Sequence, residues 1–184
     1  MEMNIRLLEN AKEIREAFMD RFVLTWEAFQ VRQKAWIAEM AKNNYPVDLA
    51  WYERSFMWDR MDPGFPRVSM KEALAFLQEQ DGPVLFMGEK DERIAFRGRR
   101  VDDFIAEADA QALADEIERE WFDAYRLAQQ ELYDADAFLP EDLYVFDPAM
   151  NWCAVFTHET DDWDSEIDDP MKASESRCCI LCRA

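Results

Sequence analysis

Two apolar runs in the last quarter of the sequence, Leu143 to Phe146 and Trp152 to Thr157, constrain the fold more than any other feature. The segment between them, Asp147-Pro148-Ala149-Met150-Asn151, is rich in turn-forming residues, so the two runs read as a β-hairpin. In the second run, alternation places Trp152, Ala154 and Phe156 on one face and Cys153, Val155 and Thr157 on the other. Both faces are mostly apolar, and such a strand belongs in the middle of its sheet. Cys178 to Cys182 supplies a further short strand after an acidic stretch.

Helical patterns account for most of the remaining chain. From about Arg6 to Lys42, Ile14, Phe18, Phe22, Phe29, Trp36, Ile37 and Met40 recur near helical spacing, as one bent helix or two. Asp48 is a candidate cap for a short helix bearing Trp51, Phe56 and Trp58. Ser69 and Glu72 have the spacing of a capping box ahead of Leu74 and Leu77, with a stop expected near Asp81-Gly82. Val84 to Met87 reads as a strand, with Ile94-Ala95-Phe96 as its expected partner. Between Ala108 and Tyr133 there is no Gly or Pro, and Leu113, Ile117, Trp121, Ala124, Ala128 and Leu132 recur every three or four residues, which predicts a helix whose acidic face is solvated. Trp26, Trp36 and Trp121 are expected in the core. With 4 Gly, 7 Pro and no linker-like stretch, residues 1–184 read as a single α+β domain. It is expected to have a mainly antiparallel sheet of about four to five short strands packed against several helices. Its parts would be a helical portion at about 6–80, an acidic helix at about 108–133 and strands at about 143–183.

Charge is distributed very unevenly. Residues 1–60 hold 9 Lys and Arg against 10 Asp and Glu, residues 61–100 hold 7 against 7, and residues 101–184 hold 5 against 23. A surface so biased repels nucleic acid and anionic membrane and attracts basic protein surfaces, so a basic protein is the expected partner. A hydrophobic fraction of 49% with 7 Trp and 13 Phe argues for a folded chain despite the charge. The amino-terminal residues lack a signal-peptide pattern, and no apolar run reaches the roughly 18 residues of a membrane helix, so the expectation is a cytoplasmic protein with reduced thiols.

The run Glu141-Asp142-Leu143-Tyr144-Val145-Phe146-Asp147, followed by Trp152-Cys153-Ala154-Val155-Phe156-Thr157-His158-Glu159, resembles the closing signature of a small uncharacterised bacterial family, mostly Gram-positive. In that family an apolar strand ending in Asp precedes a Trp-led strand closing on Thr-His-Glu. Phe56-Met57-Trp58, Glu72-Ala73 and Val84-Leu85-Phe86 resemble its earlier blocks. The acidic insertion from Asp161 to Asp169 is longer than the family's, and Cys178 to Cys182 replaces a more aromatic tail. The resemblance implies no activity, since none is established for the family. The acidic α+β outline with a Trp-led hairpin is also similar to bacterial toxin-immunity families.

Three groups of residues are candidates for chemistry. His158, the sole histidine, follows the central strand beside Glu159, so the pair suits general-base catalysis or metal binding; the alternative is that it fixes the turn. Cys179 and Cys182 have Cys-x-x-Cys spacing, a metal or redox signature, but on a strand they point to opposite faces. Asp161, Asp162, Asp164, Glu166, Asp168 and Asp169 form an acidic stretch that reads as a solvated loop, a docking surface for a basic protein, or a cation site. It lacks the spacing of an EF-hand. No cofactor motif occurs, and none is expected to be bound. The leading expectation is a non-enzymatic acidic binding protein of immunity or inhibitor type. The alternatives are a small hydrolase-type or metal-dependent enzyme using His158 and Glu159, and a structural or assembly subunit. The oligomeric state is not set by these features.

Overall fold

A computed structural model describes residues 4–43, 56–62, 64–89, 93–96, 99–129, 139–160 and 177–183. In chain order the elements are β1 (Arg6–Leu7), α1 (Ala11–Phe22), α2 (Trp26–Lys42), a 3-10 turn (Trp58–Arg60), β2 (Arg67–Ser69), α3 (Met70–Gln78), β3 (Pro83–Met87), β4 (Arg93–Phe96), β5 (Arg99–Asp102), β6 (Ala106–Asp109), α4 (Ala110–Gln129), β7 (Leu143–Phe146), β8 (Trp152–Thr160) and β9 (Arg177–Arg183). The fold is α+β. Seven strands form one antiparallel sheet in the order β1-β6-β3-β7-β8-β9-β2, and β4 and β5 pair separately as a ribbon.

The two-sided apolar pattern is what organises this sheet. Val84 and Phe86, Leu143 and Val145, Ala154 and Phe156, and Cys179 and Leu181 point into one core, where Met70, Ala73, Leu74 and Leu77 of α3 and Leu113, Ala114 and Ile117 of α4 cover them. The alternate residues Leu85 and Met87, Tyr144 and Phe146, Cys153 and Val155, and Ile180 and Cys182 point into a second core, covered by Phe18 and Phe22 of α1 and by Met57, Trp58 and Met61. Helices therefore lie against both faces of the strands, and β8 sits between β7 and β9 as its sequence demands. The hairpin loop closes through Asp147, whose side chain accepts the Trp152 N–H at 3.2 Å, while Met150 takes φ 58°.

Helix α3 begins with the expected capping box: the Ser69 side chain accepts the Glu72 N–H at 3.2 Å and Glu72 accepts the Ser69 N–H at 2.9 Å. It ends at Gln78, and Gly82, with φ 91°, turns the chain into β3.

Several expectations are corrected. The main sheet has seven strands rather than four or five, because β1, β2 and β6 contain only two to four residues, too few to show an alternation. The portion at 6–80 is not wholly helical, since it holds β1 and β2; of the two alternatives for its first helical stretch, one bent helix or two, the structure has two. The segment around Ile94 does not pair with β3, whose two sides are taken by β6 and β7; it pairs with β5. The acidic helix starts at Ala110, because Ala106 to Asp109 is extended. Trp26 and Trp36 are each 42% exposed, since Phe29 is the only buried residue of α2, whereas Trp121 packs against the first core. The short helix expected after Asp48, with Trp51, falls outside the described residues up to Ser55; Trp58 lies in the 3-10 turn and is buried, while Phe56 is 39% exposed. Among the described residues, no helix is long and apolar enough to cross a membrane.

Phe146 is fully buried, with its ring centroid 4.8 Å from that of Phe18. Phe146→Ala is expected to lower stability by about 3–5 kcal/mol and Trp26→Ala by at most about 1 kcal/mol. Urea unfolding of the two variants checks this, and equal losses would contradict the assignment of the core.

Candidate functional site

His158 owes its position to a break in the β8–β9 ladder. The pairing is regular from Trp152↔Arg183 to Phe156↔Cys179 and then jumps to Thr160↔Arg177, so Thr157, His158 and Glu159 stand opposite Cys178 alone. Strict alternation would point His158 into the core shared by Ala154 and Phe156. The bulge instead turns its ring to the other layer, where it meets the rings of Phe56 at 4.9 Å and Trp58 at 6.1 Å, both edge-on. Phe56 and Trp58 are themselves stacked, with centroids 5.6 Å apart.

The groups freed by the bulge find side-chain partners. Asp142, 2% exposed, accepts the His158 main-chain N–H at 2.8 Å and faces Nδ1 at 2.9 and 3.0 Å. An ionised carboxylate only accepts, so Nδ1 carries the proton and Nε2 is the ring's basic atom, on a side chain 32% exposed. The Thr157 hydroxyl donates to the Cys178 carbonyl at 2.6 Å. Arg177 is buried, donates through Nε to the Thr157 carbonyl at 2.6 Å and through Nη2 to the Glu141 carbonyl at 2.9 Å, and lies 4.4 Å above the Trp121 ring. Burial lowers the pKa of this guanidinium, while Cys179, Asp142 and Glu141 pull it back up.

A second group of side chains suspends the segment before the 3-10 turn. Three successive main-chain N–H groups have side-chain acceptors: Phe56 donates to Asp59 at 3.0 Å, Met57 to Glu89 at 2.7 Å and Trp58 to the Tyr144 hydroxyl at 3.0 Å. The Tyr144 hydroxyl in turn donates to Glu89. Burial raises the pKa of Glu89 against the lowering effect of these hydrogen bonds, and raises that of Tyr144 well above its ordinary value, with Glu89 adding to it. Asp59 is likewise raised by burial, with the charge of Glu159 adding to the effect. Asp142 and Tyr144 occupy alternate positions on one face, and so bring the two groups together.

For His158, burial favours the neutral ring, but the hydrogen bond and charge of Asp142, with the charges of Glu141 and Glu159, outweigh it, and the pKa lies above 6.5. The arrangement is an imidazole oriented by a buried carboxylate, beside an aromatic wall and two carboxyl groups with raised pKa. Such a set can bind a polar group or move a proton near neutral pH.

The expected His158 and Glu159 thus lie within one cluster, Glu159 at its half-buried rim. Asp161, Asp162, Asp164, Glu166, Asp168 and Asp169 lie outside the described residues. Cys179 and Cys182 point into opposite cores, as strand geometry requires. Among the described residues, no group of three or more His, Cys, Asp or Glu side chains comes together to hold a metal ion. The sequence reading missed Asp142, Tyr144, Glu89 and Arg177 as site residues. The hairpin itself carried a signal for Asp142, because pairing Leu143 with Phe156 places residue 142 beside Thr157 and His158. Comparison with protein-family models, curated proteins and solved structures finds no match.

Because His158 is the sole histidine, its ring gives one unambiguous NMR titration. The inflection is expected above pH 6.5 in the native protein and lower in Asp142→Asn, which keeps the acceptor for the main-chain N–H but removes the charge. A folded-state pKa raised in this way contributes stability that is complete below about pH 6.5 and is lost as pH rises through the folded value. An unchanged inflection in the variant would show that Asp142 does not control the ring.

Proposed function

We propose that the chain is a non-enzymatic acidic binding protein of immunity or inhibitor type, whose second half docks on a basic protein. The observation that carries this reading is the distribution of charge, with 5 Lys and Arg against 23 Asp and Glu in residues 101–184. Asp109, Asp115 and Glu118, at the start and outer side of α4, and Glu141 before β7 are exposed, and so are available to a cationic surface. Exposed like charges of this kind speed encounter with a basic partner, and salt screens them. The likeness of the outline to immunity proteins agrees with this reading. Affinity capture from the native host at low and physiological salt is expected to recover one stoichiometric basic protein that salt releases. Neutralising Asp161, Asp162, Asp164, Asp168 and Asp169 together should weaken that complex and flatten its salt dependence; an unchanged affinity and slope would remove this segment from the docking surface.

The bulge at His158 favours a second reading, a small hydrolase-type enzyme. In it, His158 would act as general base through Nε2, Asp142 would position the ring, and Glu159 would stand at the rim. For any substrate that is turned over, His158→Gln is expected to lower kcat at least about 100-fold without unfolding the protein. Retained turnover would take His158 out of the mechanism.

A further inference from the structure

The four cysteines are not equivalent once the sheet is formed. Cys179 points into the core under α3 and α4, and Cys178 accepts a hydrogen bond from Arg67 Nη1 at 3.4 Å. Cys153 and Cys182 stand directly opposite each other on β8 and β9, and both point into the core under α1. Both are free thiols and both are buried, at 0% and 2% exposure. Directly opposed residues of an antiparallel pair have Cα atoms roughly 4.5–5.5 Å apart, within the roughly 4.4–6.8 Å that a disulfide spans. Cys178 shares a face with Cys182 but is about 13 Å away along the strand, at roughly 3.3 Å per residue. The register therefore matches Cys153 with Cys182 and with no other cysteine.

We propose that Cys153 and Cys182 are a thiol–disulfide site, a dithiol that a hydroperoxide converts into a covalent link between β8 and β9. Cys182 is the attacking sulfur. The Cys153 thiol donates a hydrogen bond to it, which lowers its pKa; burial opposes this, and Arg21 of α1 contributes favourably while Asp62 does not. Cys153 is the resolving thiol, whose own pKa burial raises well above the usual thiol value. The pair is one rung from the last pairing of the ladder, Trp152↔Arg183. In the first step the Cys182 thiolate takes one oxygen from hydrogen peroxide, the O–O bond breaks, and the departing hydroxide takes up the proton as water. In the second the Cys153 sulfur attacks the sulfenic sulfur, the S–O bond breaks, and the released hydroxide takes the Cys153 proton as a second water. The two thiols lose two electrons and the peroxide gains two.

The test uses the full chain, reduced and then treated under native conditions with hydrogen peroxide at a few molar equivalents, followed by alkylation of remaining thiols and peptide mapping without reductant. The expected result is loss of two alkylatable thiols, a single linked peptide pair joining Cys153 to Cys182, and a higher urea midpoint that a dithiol reductant reverses. A link between any other pair, stable sulfinic acid on Cys182 with Cys153 still alkylatable, or four thiols that survive peroxide would each overturn the proposal. Cys153→Ala provides a second measurement: sulfenic acid should accumulate on Cys182 and be trapped by dimedone. Trapping on another cysteine instead would refute the assignment of Cys182 as the attacking sulfur.

Discussion

The requirement to remove both faces of three neighbouring strands from water governs this fold. Leu143–Phe146 of β7, Trp152–Phe156 of β8 and Cys178–Cys182 of β9 are unbroken runs of apolar side chains, so a single covering layer would leave one face in water. Helices α3 and α4 supply one cover, and α1 with the segment from Met57 to Met61 supplies the other. Each cover is amphipathic for the same reason: Leu113, Ala114 and Ile117 face inward along α4 while Asp115 and Glu118 remain in water. The negative charge of this half of the molecule is thus compatible with a packed interior, because pattern separates the two.

The candidate site arises where that regularity fails. Through Phe156 the pairing between β8 and β9 is regular. Beyond it the bulge leaves donors and acceptors without strand partners, and Asp142, Thr157 and Arg177 supply the missing hydrogen bonds. Unsatisfied polar groups at this depth cost far more than surface ones, so these side chains are fixed by the backbone they serve. His158 inherits its orientation from that arrangement. A site built this way is rigid because its supporting groups have structural work of their own, a condition that suits either positioned chemistry or a fixed contact point in an interface.

What could be read from residue order, and what could not, follows from range. The hairpin, its loop, the capping box at Ser69 and the opposed faces of Cys179 and Cys182 are local features set by alternation or by spacing of three, and each is found. Strand β6 escaped because Ala106-Glu107-Ala108-Asp109 has weak strand propensity and runs directly into the apolar period of α4. Trp26 and Trp36 misled because spacing predicts which residues share a helix face, not whether another element covers that face. His158 and Glu159 were visible as residue types, whereas the approach of Glu89 to Tyr144, 55 positions apart, depends on strand order and leaves no trace in local pattern.

The order of the strands also bears on how copies of the molecule meet. The seven-stranded sheet terminates in its two shortest members, two residues at β1 and three at β2. Arg6, paired with Glu107 at 2.7 Å, stands on the first, and Pro66 precedes the second, with exposed Arg67 beginning it. Short, charged borders, the second of them preceded by proline, offer a poor template for adding a strand from outside. A chain with so apolar a centre thereby keeps its most adhesive strands walled in by its least adhesive ones, which guards it against growing into fibrils.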